Sequence, residues 1–319
     1  MILVISHPQD GHTKAILEAL TSLGSTAHLL DLSGFPKQYR LEARYDGDRA
    51  RTYRLRQATG NIVDLGTCGA SWWRRPQAFV LHEEIRDPTN NTFAYTEATE
   101  AFTGLWQAMD CYWVNNPAAD ANAHRKLYQL RVAQDVGLTI PETLITSDPA
   151  LAREFVARLG VGRTIYKAFS GTREAWRETR LVKEDEVPLM EAVRFAPVIF
   201  QRYIEAKVDL RVTVVGNEIF SAALYSQQSA YPIDFRMDMA HTRIEVHTLP
   251  LAVQDQLRAL MQRLGIVYGA IDMRLTPEGE YVFLEVNPAG QWLFIEGCSR
   301  QPITAALACL LHDRDRARG

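Results

Sequence analysis

Two stretches near the end of the chain, Ala270-Ile-Asp-Met-Arg274 and Tyr281-Val-Phe-Leu-Glu-Val-Asn287, alternate apolar and polar residues with a period of two. Side chains two apart on a strand share a face. Asp272 and Arg274 therefore point one way, as do Glu285 and Asn287, while Val282, Leu284 and Val286 are expected in the core. The link Leu275-Thr-Pro-Glu-Gly-Glu280 has the composition of a hairpin turn, which sets the two strands side by side.

At the other end, residues 2–5 form an apolar strand, followed by the polar loop Ser6-His-Pro-Gln-Asp-Gly-His12, an amphipathic helix from Thr13 to Leu23 and a strand over 27–32. That order makes a parallel β-α-β unit. Its loop lacks the G-x-G-x-x-G pattern, so no nicotinamide or flavin site is expected. Residues 40–56 read as a polar, arginine-rich stretch. Further on, the pattern predicts a helix over 92–109, a strand over 111–115, one helix from about Ala121 to Gln134 and another over 148–159. A strand over 163–168, a helix over 185–194 and a strand over 197–201 follow. The remainder is mainly strands (210–215, 219–226, 244–248), with helices over 252–264 and 302–311. His312 to Gly319 reads as a frayed charged tail. The expected architecture is α/β and α+β in three lobes, divided at 1–115, 116–199 and 200–319.

With 319 residues, 47% hydrophobic and 23% charged, the chain has the make-up of a globular protein with a large core. A net charge of −3 gives no global field to recruit nucleic acid or an anionic membrane. The four cysteines are scattered, without C-x-x-C or zinc spacing, as in a reduced cytoplasmic protein. No secretory leader or membrane-spanning run is evident.

The candidate chemistry gathers on polar strand faces. Asp272, Glu285 and Asn287 are hard oxygen ligands suited to Mg²⁺ held between protein and phosphates; the alternative is an ordinary solvated face. Lys167 lies within the apolar run Ile-Tyr-Lys-Ala, where a buried ammonium needs an anion, unless it snorkels from an edge strand. The loop Phe169-Ser-Gly-Thr-Arg173, with Ser170 and Gly171, offers backbone N–H groups to a triphosphate, although it is not a Walker loop. Asp209, Arg211 and Thr213 share one strand face. Arg74 and Arg75, after Trp72-Trp73, either close an anion or peptide-carboxylate site or pair with nearby acids, and the second reading is favoured. His7, His12 and His241 are read as surface or loop histidines rather than bases.

The phrase Phe283-Leu-Glu-Val-Asn-Pro-Ala-Gly290 resembles the metal-binding signature of the ATP-grasp superfamily. Phe200-Gln-Arg-Tyr-Ile-Glu-Ala-Lys-Val-Asp-Leu-Arg211 is similar to the segment joining the central and C-terminal lobes of its carboxylate–amine ligases. The opening Ile-Ser-His-Pro-Gln-Asp-Gly-His, Phe35-Pro36, Ser71-Trp-Trp-Arg-Arg-Pro76 and Asn287-Pro-Ala-Gly-Gln-Trp292 resemble the microviridin-type, or graspetide, branch. The resemblance covers essentially the whole chain and implies a three-lobed ATP-grasp fold with an N-terminal Rossmann-like α/β lobe. It implies that Lys126 and Lys167 hold the α- and β-phosphates and that Arg202, Tyr203 and Ile204, beside Gln201, meet adenine. By the same match Asp209 reaches the ribose, Arg211 neutralises the transferring phosphate, and Asp272, Glu285 and Asn287 hold magnesium. Arg274 is expected to steady an acyl phosphate.

The implied reaction is ATP-dependent closure of side-chain ester or amide rings on a ribosomally made precursor peptide with a leader and a core. Arg74, Arg75, Glu191, Asp234 and Arg236 are the peptide-contact candidates, Glu191 because its helix joins acids to Leu189, Met190 and Val193; the alternative, slightly favoured, is an ordinary amphipathic helix whose apolar face is wholly core. The rivals are a ligase that adds an amino acid to a small molecule or protein terminus, and a non-catalytic ATP-binding regulator. A homodimer is one option for the assembly.

Overall fold

The computed structural model describes residues 1–47, 50–169, 179–228 and 242–318. Ser170, Gly171, Asp234, Arg236 and His241 lie outside them.

The N-terminal lobe begins with β1 (Ile2–Ile5), wholly buried because it is the second strand of a parallel sheet. α1 (Gly11–Ser22) starts where the Asp10 carboxylate accepts the Thr13 N–H, a cap worth about 1 kcal/mol. Then come β2 (Ala27–Leu30), β3 (Tyr39–Tyr45), β4 (Arg51–Gln57), β5 (Ile62–Asp64), β6 (Ala70–Trp73), α2 (Pro88–Ala108) and β7 (Tyr112–Val114). The parallel sheet runs β2-β1-β6-β7, and β3-β4-β5 form a separate antiparallel sheet. The arginine-rich stretch is therefore a hairpin: Tyr39, Tyr53 and Leu55 face the core while Arg40, Arg54 and Arg56 face outward. The long charged side chains on the outer face hid that alternation.

Where a single helix was expected, two occur, α3 (Pro117–Ala123) and α4 (Lys126–Asp135). Arg125 takes an extended conformation, so the chain restarts with Lys126 at the head of α4. The central lobe holds β8 (Thr143–Thr146), α5 (Pro149–Leu159), β9 (Thr164–Lys167), β10 (Arg180–Leu181) and β11 (Val198–Arg202), its sheet in the order β10-β9-β11-β8. Residues 184–195 form 3-10 turns rather than the α-helix expected there, with Pro188 inside the segment.

The last lobe is built on β12 (Val208–Val215), β13 (Glu218–Leu224), β14 (Ile244–Val246), α6 (Leu251–Leu264), β15 (Tyr268–Leu275) and β16 (Tyr281–Asn287), followed by α7 (Leu293–Ser299) and α8 (Ile303–Arg316). Its sheet order is β14-β13-β12-β15-β16. One face carries Leu210, Val212, Val214, Ile271 and Met273 and packs on α4 and α6. Thus α3 and α4, which the sequence division placed in the central lobe, bury their apolar sides in the C-terminal one.

The opposite face joins the N-terminal lobe through Tyr268, Trp292 and the α8 residues Ile303, Leu307 and Leu311, all in one core with Ile2, Val4 and Trp72. The stretch from His312 to Arg318 is not frayed: α8 runs to Arg316, Asp315 pairs with the N-terminal ammonium at 2.9 Å, and Arg318 Nη1 donates to Cys68 O at 2.6 Å. Charges that looked solvated have fixed partners across the fold. Among the described residues no helix is long and apolar enough to cross a membrane.

Candidate active site

The hairpin β15–β16 forms as the alternation predicts, with Asp272 directly opposite Glu285 and Ala270 opposite Asn287. Directly opposed residues share a face, so the two carboxylates and the carboxamide are brought together on one surface. A bulge between Asp272 and Met273 then shifts the register. Met273 pairs with Phe283, which joins the core beside Val286, while Leu284 is only partly buried. The expected core position of Leu284 is corrected to Phe283, since one extra residue reverses the alternation beyond it.

Each acidic group in this face has a cationic partner. Arg211 Nη1 donates to Asp272 Oδ1 at 2.7 Å across β12 and β15, where the two residues are directly opposed. Burial alone would lower the Arg211 pKa, but Asp272 raises it above its ordinary value, so the guanidinium stays charged. Lys126 Nζ meets Glu285 Oε2 at 2.5 Å. Lys167 ends β9 on the central sheet, opposite Ile199 and half-buried.

Arg274 and Asp209 do not face an open cleft. Arg274 Nε donates to Asp209 Oδ1 at 2.8 Å and its Nη1 to Ile204 O at 2.6 Å, and its guanidinium lies over the Tyr203 ring. Ser226 Oγ takes the other Asp209 oxygen. Both side chains are buried, so Asp209 is not presented to a ribose, and Arg274 fastens the 203–206 linker rather than lying open to an acyl phosphate. Among the described residues Glu205, exposed in that linker and without an ion pair, is the acid left available there.

The Arg202 N–H bonds Glu142 O and the Tyr203 N–H bonds Arg163 O, which leaves the Ile204 N–H as the donor of that run not taken up among the described residues. Gln201 is buried, its Nε2 donating to Thr143 Oγ1 at 2.8 Å while its Oε1 has no partner. A buried acceptor left unpaired calls for a donor from outside the chain. Gln201 Oε1 and the Ile204 N–H are thus an acceptor and a donor of the kind an adenine edge needs.

Two carboxamides that the sequence reading passed over hold β16 and the strand beside it. Gln129 on α4 donates to Val286 O at 2.8 Å and accepts from Val286 N at 3.1 Å. Asn115 accepts from Val267 N and Tyr268 N and donates to Tyr268 O and Pro288 O. The available signals were a buried-face amide one turn after Lys126 and an asparagine closing an apolar strand.

Arg74 is buried and donates to Ala289 O and Gly290 O, and Arg75 Nε donates to Ala289 O, so these hydrogen bonds go to backbone carbonyls rather than to the nearby acids expected, with Asp10 3.6 Å from Arg74 Nη2. Glu191 pairs with Arg153 and Arg194 on the outside of the central lobe. Met190 and Val193 belong to that lobe's core, while Leu189 is 67% and Phe195 76% exposed.

Among the described residues no three or more imidazole, thiol or carboxylate groups cluster for a metal. The donor set here, two carboxylates and a carboxamide, suits a hard ion whose remaining ligands are phosphate oxygens and water. Residues 1–121 match the family model described as the MvdD pre-ATP grasp domain. Macrocyclase MdnB from Microcystis aeruginosa is 33% identical, with 97% of this chain and 98% of that one covered at a TM-score of 0.80. The chain belongs to the ATP-grasp macrocyclase family.

A further relative comes from Chryseobacterium gregarium, a RiPP-associated ATP-grasp ligase solved in complex with ADP and a leader and core peptide. It is 26% identical, covers 98% of this chain and 96% of that chain, and superposes with a TM-score of 0.88. Among curated proteins, the ribosomal protein bS6–L-glutamate ligase of Salmonella paratyphi B is 27% identical over 202 residues, 61% of this chain. The match spans 64% of that relative's length, less than two thirds.

Proposed function

We propose that this protein is an ATP-dependent ligase that converts Asp or Glu side chains of a ribosomally made precursor peptide into acyl phosphates and closes them into ester or amide rings. One observation carries the reading. Lys126–Glu285 and Arg211–Asp272 are opposite-charge pairs on a single face. Magnesium and a triphosphate would exchange with them partner for partner, the carboxylates turning to the metal and the cations to the phosphates. For the buried Arg211–Asp272 pair, a ligand that replaces both halves avoids the cost of stranding either.

The residues present therefore fit ATP and Mg²⁺. Asp272, Glu285 and Asn287 would hold the metal, which supplies charge neutralisation at the transferring phosphoryl group. Lys126, Lys167 and Arg211 contribute fixed positive charge there, where electrostatic stabilisation carries most of the rate. A substrate carboxylate oxygen attacks the γ-phosphorus and ADP leaves. A Ser or Thr hydroxyl, or a Lys amine, of the same peptide then attacks the acyl carbon, loses its proton and expels phosphate. The leader segment is assigned to the outside of the central lobe near Glu191, where Leu189 and Phe195 offer exposed apolar surface. The ATP supply and the free cysteines fit a cytoplasmic site of action.

Glutamate-type ligation, the second reading, is supported by the curated relatives, but that likeness covers 61% of this chain against 98% for the Chryseobacterium peptide ligase. Incubation with ATP, Mg²⁺ and the short acidic, Ser/Thr-bearing peptide encoded beside the gene decides between them. Macrocyclisation gives loss of one water mass per ring without added amino acid. Incorporation of labelled glutamate into an acceptor, with the peptide mass unchanged, overturns the proposal.

A further inference from the structure

The four carbonyls that follow the metal strand are each fastened by a side chain. Pro288 O accepts from Asn115 Nδ2 at 3.2 Å, and Ala289 O from Arg74 Nη1 at 2.6 Å and Arg75 Nε at 3.2 Å. Gly290 O accepts from the same Arg74 Nη1 at 3.0 Å and from Tyr268 Oη at 2.9 Å, and Gln291 O from Arg211 Nη2 at 3.0 Å. Asn115, Arg74 and Arg75 belong to the N-terminal lobe, so that lobe grips the end of β16 directly.

Arg74 is the centre of the grip. It is 1% exposed, and its one acidic neighbour, Asp10 Oδ2, stands 3.6 Å from Nη2. Asp10 is itself immobilised as the cap of α1. Filling that volume with an apolar side chain would spare the burial of a cation, so packing alone does not account for an arginine. What the guanidinium adds is a directional hold on two successive carbonyls.

The turn it holds starts at the metal ligand. Asn287 Oδ1 accepts the Ala289 N–H at 3.1 Å, and Asn287 O accepts the Gly290 N–H at 3.1 Å. A Cβ on Gly290 would lie 2.3 Å from Ala270 Cβ and 2.9 Å from Arg211 Nη2, so the turn is packed hard against the residue opposite Asn287 and against the phosphate-side arginine. Displacing Ala289 and Gly290 would move both groups.

We propose that Arg74, steadied by Asp10, is a positioning residue that sets Asn287 and Arg211 through the 288–291 turn. The inference rests on the metal-site reading given above. Groups that orient metal ligands without touching the metal are worth 10- to 100-fold in metal affinity as a rough guide.

The test uses Mn²⁺ as the probe, bound to the full-length protein with ADP and followed by electron paramagnetic resonance, alongside calorimetry of ADP without metal. Arg74→Met is expected to weaken Mn²⁺ binding about tenfold while metal-free ADP affinity stays within about twofold. Arg74→Lys, which keeps the charge but not the fork, is expected to fall between. Equal Mn²⁺ affinity in wild type and Arg74→Met overturns the inference, as does an equal loss of metal and of metal-free ADP binding, the signature of a merely structural role. If Arg74→Met does not fold, Arg74→Lys and Asp10→Asn carry the test, and wild-type Mn²⁺ affinity in both overturns it. Wild-type protein binding Mn²⁺ no better than Glu285→Gln would instead remove the metal site itself, and this inference with it.

Discussion

Lys126 Nζ lies 2.5 Å from Glu285 Oε2, so the first residue of α4 is tied to the centre of β16. A lysine read as a phosphate ligand and a carboxylate read as a metal ligand are thus paired with each other. Both side chains are partly exposed, so the pair contributes little to stability and parts cheaply. Glu285→Gln should therefore abolish ATP turnover while leaving the fold intact. Phosphate release at the wild-type rate from the purified, folded variant would remove Glu285 from the site.

Asp272 makes a contrasting case because its partner is buried. Asp272→Asn should also abolish turnover, but it leaves the Arg211 guanidinium buried without its carboxylate. Losing one half of a buried pair costs about 3–5 kcal/mol, so urea denaturation should show a large stability loss that Glu285→Gln lacks. Equal stability of the two variants would contradict the assignment of Arg211 to Asp272.

The sequence made the β15–β16 hairpin and the shared face of Asp272, Glu285 and Asn287 legible because period-two alternation and a proline-glycine turn are local signals. It also carried the parallel sheet around β1. What escaped depended on partners distant in the chain. Alternation cannot show a bulge, which is why Leu284 and Phe283 exchanged roles. Nor can composition show that Asp315 pairs with the N-terminus, or that Asp209 is consumed by Arg274 and Ser226. Gln129 and Asn115 were missed for the same reason, since their carboxamides serve backbone groups more than 100 residues away in sequence, at Val286 and Tyr268.

Gly290 is constrained by space rather than by backbone angle. Gly290→Ala places a Cβ 2.3 Å from Ala270 Cβ, below any separation that packed side chains tolerate. Relief requires the 288–291 turn to shift, at a cost of about 1–3 kcal/mol. Reduced thermal stability together with loss of turnover is expected. Full activity at unchanged stability would show that the turn need not be held where it is.

Glu191 holds Arg153 and Arg194 on the outside of the central lobe, beside exposed Leu189 and Phe195. If the leader docks there, Glu191→Arg should weaken binding of a labelled leader peptide in fluorescence anisotropy and leave ATP affinity unchanged. Equal leader affinity in the two proteins would eliminate Glu191 as a contact.

His12 gives a pH dependence with a definite sign. Burial, followed by the nearby Arg74, lowers its pKa from 6.5 to about 3. Its ring lies against Trp292, and Nδ1 has no hydrogen-bond partner. The unfolded chain takes up a proton at His12 as pH falls through 6.5, but the folded protein does so only near 3. Its contribution is therefore fully present above 6.5 and is lost progressively as the pH falls toward 3. At 1.36 kcal/mol per unit, lowering the pH from about 6.5 to about 5 should cost roughly 2 kcal/mol at this residue. His12→Gln keeps a polar side chain of similar reach and cannot protonate, so its stability should decline less over that interval. Urea denaturation of both proteins across the interval measures the difference. Parallel declines would mean that His12 titrates in the folded protein near its ordinary value, and that burial and the nearby Arg74, Arg75 and Arg211 do not exclude the proton.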